Sequence, residues 1–116
     1  MNTITKTAFL KEMALAETCW QQRALDQAFA HLERAHILGQ REFLTHARTH
    51  LWMLRIGWAR RDGREIRGQI LRLLLIPLGH LTGRLPLGNT GGANVSAFKP
   101  MPVANDLAAI LRNEKL

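Results

Sequence analysis

The chain has 116 residues, of which 47% are hydrophobic and 22% charged, and its formal net charge is +7 at pH 7. This length predicts a single domain over residues 1–116, and the composition is that of a globular rather than a disordered protein. No uncharged apolar run is long enough to span a membrane, and the first residues carry no pattern of a secretory signal. With one cysteine, Cys19, an internal disulfide is excluded and a cytoplasmic location is expected.

Helical periodicity dominates the first two thirds of the sequence. Apolar residues at helical spacing predict four helices, over residues 7–20, 24–38, 41–61 and 64–76. Gly39 is expected to stop the second helix, and Pro77 with Gly79 to stop the fourth. Strand-like alternation is absent, so we predict an all-α fold built from two helical hairpins, with a helical body over residues 6–78.

The first hairpin, over residues 8–40, has the small-residue spacing of a tetratricopeptide repeat. It lacks the early Trp and the closing Pro of that motif, because Glu12 and Gln40 stand at those places. The second hairpin aligns poorly with the motif, and Arg72 stands where a large apolar residue belongs. Both a degenerate repeat and a plain four-helix arrangement therefore remain open.

A different kind of segment follows the four helices. Residues 79–102 hold five of the nine glycines and three of the four prolines, interspersed with leucines that can hold a coil against a helical surface. We predict an ordered coil over residues 79–103 and a short C-terminal helix over residues 104–113. The glycines and asparagines of 88–92 favour a coil with left-handed residues; the alternative is a nest of N–H groups that binds an anion.

Three segments resemble one family. HLERAHILGQ, THARTHLWML and above all GHLTGRLPLGNTGGANVSAFKPMPV are similar to small, uncharacterised bacterial proteins of about this length, classified as a domain of unknown function. The resemblance implies no activity. It implies a context of heavy-metal resistance systems, in whose company such proteins are found.

The histidines are the strongest indication of chemistry. His46 and His50 are four residues apart on one predicted helix, and Glu33 and His36 form an E-x-x-H pair on the helix before it. Imidazole and carboxylate ligands suit Zn, Cu, Ni or Fe. The candidate metal ligands are His36, His46 and His50, with Glu33, Glu42 and His80 as further candidates, His80 lying where the coil would close over the cluster. The alternative is that these are core histidines that donate to backbone carbonyls or to the coil.

The positive charge is concentrated between residues 55 and 84, which hold seven arginines against Asp62 and Glu65. Such a cluster can bind an acidic protein or, with weaker support, nucleic acid; more often a charged run is a solvated face. The candidate anion- or partner-binding residues are Arg60, Arg61, Arg64, Arg84 and Asn89. Association of the chain with itself is a further possibility.

Catalytic patterns are missing from the sequence. No G-x-S-x-G or H-E-x-x-H is present, and Cys19 falls beside an apolar stripe where a thiol is unreactive. We therefore predict a non-enzymatic protein that binds a transition metal through histidines on helices. The alternative function is a helical adaptor that binds acidic partners through its arginines.

Overall fold

A computed structural model describes residues 1–114 and confirms the all-α class. Within this range the chain forms five helices and no strand. They are α1 (Thr3–Gln21), α2 (Leu25–Gly39), α3 (Phe43–Ala59), α4 (Gly63–Thr82) and α5 (Asn105–Glu114). As predicted, α2 ends at Gly39.

Helices α2, α3 and α4 each pack on the helix before them in the chain, whereas α5 packs on α1 and α2. The apolar core lies where α1, α2, α3 and α5 meet. Its buried members are Phe9, Met13, Ala16, Ala28, Phe29, Leu32, Ala35, Leu38, Met53, Ile56 and Leu107. Burial of these side chains supplies the main driving force that holds the helices together.

The two hairpins share one turn geometry. Arg23 after α1 and Arg61 after α3 are the non-glycine residues with positive φ, at 61° and 55°. In each turn the arginine N–H donates to the carbonyl oxygen three residues earlier, and the next N–H donates to the carbonyl five residues earlier. This is the Schellman motif, which usually has glycine at the left-handed position. The second hairpin thus repeats the turn of the first, although the two sequences align poorly.

The predicted end of the fourth helix is wrong. Helix α4 continues through Pro77 to Thr82, and Gly83 ends it with a left-handed φ of 71°. Proline removes one N–H and crowds the carbonyl of Leu73, which disfavours a helix. The leucine-rich flanks favour the helix, however, and Ile76 is buried against the body of the protein. These contributions outweigh the local cost of the proline.

This extension shifts the later boundaries as well. The coil runs over residues 83–104 rather than 79–103, the helical body ends at Thr82 rather than 78, and α5 occupies Asn105–Glu114 rather than 104–113. We call residues 83–104 the arm. Helix α5 fixes its far end, because Leu107 is buried in the core and Asp106 pairs with Arg34 of α2.

The buried face of α3 also differs from the predicted stripe. Apolar periodicity places Trp58 and Phe43 on the core side, but they are 70% and 44% exposed. The predicted stripe is Phe43, Ala47, His50, Leu54 and Trp58. Of these only His50 is on the buried face, which also contains His46, Thr49, Met53 and Ile56. A search for apolar periodicity misplaces a face whose buried residues are largely polar.

None of the helices in the described part of the chain combines the length and apolarity needed to cross a membrane.

The hairpin turns generate a prediction about stability. Replacing Arg23 with glycine removes a left-handed strain of about 1 kcal/mol, so Arg23→Gly is expected to raise the free energy of unfolding by roughly that amount. Urea denaturation measures the change. Arg23→Ala is the matched control, since alanine keeps the strain, and a glycine variant no more stable than the alanine variant would contradict the prediction.

Candidate metal centre

A second buried region lies between α2, α3, α4 and the arm, and it is polar. Its buried members are His36, Gln40, His46, Thr49, His50, Glu65, Gln69, Arg72 and Asn89. Polar groups removed from water in this way require hydrogen-bond partners or a bound ion.

Three histidines converge within this region. The Nε2 atoms of His36 and His50 are 3.0 Å apart, and those of His36 and His46 are 3.1 Å apart. All three rings are buried, and their ligand atoms lie within 4.8 Å of one another. The three residues that the sequence singled out as principal ligands therefore meet at one point, which could hold a metal ion.

The tautomer of His36 follows from its other ring nitrogen. Its Nδ1 lies 2.7 Å from the carbonyl oxygen of Asn89. A carbonyl oxygen only accepts, so Nδ1 carries the proton and donates. In neutral His36 the Nε2 atom is then unprotonated, and its lone pair points towards the other two rings.

Gln69 fixes the tautomer of His50 in the same sense. The Gln69 amide nitrogen donates to Glu65 Oε2, 2.8 Å away, and to the carbonyl oxygen of Gly91, 2.9 Å away. Its oxygen must therefore face His50 Nδ1, at 2.6 Å, and accept a proton from it. Neutral His50, like His36, presents an unprotonated Nε2.

Two lone pairs thus oppose each other across 3.0 Å, between Nε2 of His36 and Nε2 of His50. Protonation of one ring is disfavoured. Burial, reinforced by the neighbouring histidines, holds the pKa of His36 well below its ordinary value. Burial likewise lowers the pKa of His50 to about 4 and that of His46 to about 3. At neutral pH the three rings are therefore uncharged, and their unprotonated nitrogens are available as ligands.

His80 lies one step outside this cluster. Its Nε2 is 3.0 Å from Nδ1 of His46, on the side of the His46 ring away from the other two histidines. The sequence places it outside the helices, but it belongs to the last turn of α4, because that helix continues past Pro77. The contacts of His46 suit either tautomer. With Nδ1 protonated, His46 donates to His80 and presents an unprotonated Nε2 to the cluster; with Nε2 protonated, it donates to Nε2 of His36.

The arm closes over His36 through Asn89 and Gly91. The Asn89 amide donates to the carbonyl oxygens of Ser96 and Lys99, both at 2.7 Å, and its side-chain oxygen accepts from the N–H of Gly91. Arg72 of α4 binds the arm farther along, at the carbonyl oxygens of Gly92 and Val95. The arm is therefore a folded wall of the site.

The two candidate carboxylates lie elsewhere. Glu42 precedes the first turn of α3, is exposed, and accepts from the amino group of Met1 at 2.6 Å. Glu33 is half-buried near Arg60 and Glu65, and burial is the main cause that raises its pKa. Neither belongs to the group of converging ligand atoms found in residues 1–114.

The candidate anion- or partner-binding residues are dispersed. Arg60 pairs with Asp26 and lies over the ring of Phe29. Arg61 and Arg64 are exposed at the turn between α3 and α4. Arg84 borders the cavity beside the histidines, whereas Asn89 is buried and engaged within the arm. These positions do not form one patch.

Sequence reasoning missed Gln69 and Arg72 as residues of the site. Both stand where a buried helix face usually carries apolar residues. A polar residue at a position expected to be apolar was the only sign of this in the sequence. Their partners, His50 and the arm, are 19 or more residues away, so local spacing does not reveal them.

A cavity of about 310 Å³ adjoins the three histidines. Its walls come from the second half of α4, the arm and the three rings themselves. Besides the histidines, it is lined by Arg72, Leu75, Ile76, Leu78, Gly79, Thr82, Arg84, Leu85, Pro86, Asn89, Gly91, Ala97 and Phe98. All three rings thus border a space that could hold a small molecule.

Comparison with known proteins yields one match. A family model described as "Protein of unknown function (DUF3703)" matches residues 3–111, which include all five helices except the last turn of α5. No curated protein and no solved structure matches the chain.

The contact between the arm and His36 generates a prediction. Gly91 has a φ of 87°, and a Cβ atom there would lie 2.7–2.9 Å from three atoms of the His36 ring. Gly91→Ala is therefore expected to displace the ring and to lower the free energy of unfolding by about 2 kcal/mol or more, measured by urea denaturation.

Gly83→Ala is its matched control. Its φ of 71° carries the same left-handed strain, but nothing lies within 4 Å of the added Cβ. It should cost only about 1 kcal/mol. Equal losses for the two variants would show that the His36 contact contributes nothing.

Proposed function

We propose that this protein, which belongs to the family of proteins of unknown function DUF3703, binds one transition-metal ion through Nε2 of His36, His46 and His50. One observation carries the proposal: hydrogen bonds on the far sides of the rings direct the lone pairs of His36 and His50 at each other across 3.0 Å. A metal ion accepts both lone pairs and removes their repulsion.

The spacing of the nitrogens supports a metal with tetrahedral preference. Two imidazole nitrogens bound to Zn²⁺ at 2.0–2.1 Å stand roughly 3.3 Å apart at a tetrahedral angle. The separations of 3.0 and 3.1 Å from His36 to the other two histidines lie close to that value, and the full set of ligand atoms lies within 4.8 Å. A metal bound to all three would draw His46 and His50 towards each other. Three protein ligands leave the fourth position of the metal open.

The outer hydrogen bonds also support the proposal. In metal sites the free N–H of a ligating histidine usually donates to a carbonyl, a carboxylate or another acceptor, which fixes the ring and increases its basicity. Here the acceptors are the Asn89 carbonyl for His36, the Gln69 amide for His50 and the His80 ring for His46. Each ligand therefore has its own outer partner.

The donor set favours a borderline divalent ion. Neutral imidazoles suit Zn²⁺, Cu²⁺, Ni²⁺ or Fe²⁺, and no thiolate accompanies them in the cluster. The family resemblance carried by the three sequence segments implies a heavy-metal context. We therefore infer a non-enzymatic role in the cytoplasm, in which the protein holds or passes on such an ion.

Metal binding is testable with untagged protein. Native mass spectrometry after exposure to Zn²⁺, Cu²⁺, Ni²⁺ or Fe²⁺ should show one ion per chain. His46→Gln/His50→Gln is expected to lower the affinity by at least roughly a hundredfold, since it removes two of three ligands. Wild-type protein that takes up none of these ions would overturn the proposal.

His31→Gln is the matched control for the ligand variants. His31 lies away from both the cluster and His80, and its ring pairs with Glu12 of α1. This variant should bind the metal as the wild type does. Loss of the metal in His31→Gln would mean that histidine number, not the cluster, governs uptake.

The lowered pKa values predict how the stability of the metal-free protein depends on pH. Below about pH 6.5 histidines in the unfolded chain bind protons, while His46 and His50, with pKa values of about 3 and 4, remain neutral in the folded state. The unfolded state therefore binds more protons, and the free energy of unfolding falls as the pH decreases from about 6.5 to 4.

Urea denaturation at pH 7 and pH 5 measures this effect. Each of the two histidines contributes up to about 1.4 kcal/mol per pH unit within that window. The loss on acidification should be smaller in His46→Gln/His50→Gln than in His31→Gln. An equal loss in both variants would contradict the buried neutral state of the cluster.

A further inference from the structure

We infer that the open coordination position of the proposed metal takes the carboxylate of a small organic acid, whose apolar part fills the adjoining cavity. This inference rests on the metal site proposed above and names the ligand of that site. Three features of the cavity carry it: its position at the histidines, its apolar walls and its positively charged lining.

The position of the cavity determines where a fourth ligand would lie. His36, His46 and His50 all line it, so a ligand in the cavity would lie beside the three rings that hold the proposed metal. Its volume of about 310 Å³ is at the small end of the range for ligand sites. A molecule of a few carbon atoms fits, with one end at the metal.

The walls away from the histidines are mainly apolar. They comprise side chains of α4 and of the arm, among them Leu75, Ile76, Leu85 and Pro86. An alkyl group in contact with these side chains is removed from water, which favours binding in proportion to the apolar area buried. A bare inorganic anion would leave these walls unused.

The charge of the cavity selects an anionic head group. Arg72 and Arg84 line it, and none of the described lining residues is acidic. Arg72 is only 8% exposed, its terminal nitrogens donate to backbone carbonyl oxygens, and its Nε has no hydrogen-bond partner within residues 1–114. Burial lowers the pKa of Arg72 and the nearby Glu65 partly offsets this, but none of the ion pairs within residues 1–114 includes Arg72. A carboxylate beside this buried cation lowers the cost of its burial further.

The metal adds two further positive charges while its three protein ligands are neutral. A carboxylate bound at the fourth position compensates part of this charge, and carboxylate oxygens are established ligands of Zn²⁺ and related divalent ions. An alcohol of the same length provides the apolar part without the charge. Acid and alcohol therefore differ in the one property that the arginines and the metal recognise.

The test uses the full chain loaded with Co²⁺, whose visible spectrum reports a change of ligand at the metal. Hexanoate, acetate and 1-hexanol are titrated separately. Hexanoate is expected to change the spectrum and to bind at least tenfold more tightly than acetate, since each buried methylene contributes roughly a factor of four. 1-Hexanol at the same concentration should leave the spectrum unchanged.

A variant that fills the cavity tests binding of the organic acid separately from binding of the metal. Ala97→Trp places a large ring at the lining of the cavity and should keep Co²⁺ while losing at least tenfold in hexanoate affinity. Ala30→Trp, on the exposed face of α2, is the matched control and should bind hexanoate as the wild type does.

The outcomes distinguish the two proposals. If the protein takes up no Co²⁺, Zn²⁺, Cu²⁺, Ni²⁺ or Fe²⁺, the metal site itself is wrong, and this inference falls with it. If Co²⁺ binds but hexanoate leaves the spectrum unchanged or binds no better than acetate, the metal site stands and the organic-acid ligand is overturned. Unchanged hexanoate affinity in Ala97→Trp would place the ligand outside the cavity.

Discussion

Two hydrogen bonds, on opposite sides of a pair of buried histidines, determine which ring nitrogens face each other in the polar interior. His36 donates to the Asn89 carbonyl and His50 donates to Gln69, so the remaining nitrogens of the two rings face each other without a proton between them. Each acceptor comes from a different part of the chain, one from the arm and one from α4. The histidines therefore present their lone pairs in these directions only when α4 and the arm are packed against α2 and α3.

The polar interior also explains the composition of the arm. A coil of 22 residues laid over a helical body must satisfy its own backbone groups, and many of them bind side chains of the site. The segment from Gly91 to Val95 is held by hydrogen bonds to the side chains of Glu65, Gln69 and Arg72. Just before it, the side-chain oxygen of Asn89 accepts from the N–H of Gly91 and closes a turn of the arm. The glycine- and asparagine-rich sequence is thus a structural requirement of a wall that lies close to His36.

The helices and the three principal histidines were predictable because both depend on short-range spacing. Apolar periodicity located four helices, and the i, i+4 relation placed His46 and His50 on one side of α3. The end of α4 was not predictable from Pro77, since packing around Ile76 overrides the local penalty. The outer partners Gln69, His80 and Asn89 depend on contacts across 19 to 53 residues, which no local pattern encodes.

The order of the site along the chain has a consequence for folding. All three converging rings belong to the hairpin of α2 and α3, and the first and the last are only 14 positions apart in the sequence. Contacts at such short separation form early, whereas the acceptors in α4 and the arm are synthesised later and close over the rings afterwards. During synthesis, the hairpin that carries the three histidines is thus complete before the residues that cover it and accept from its rings.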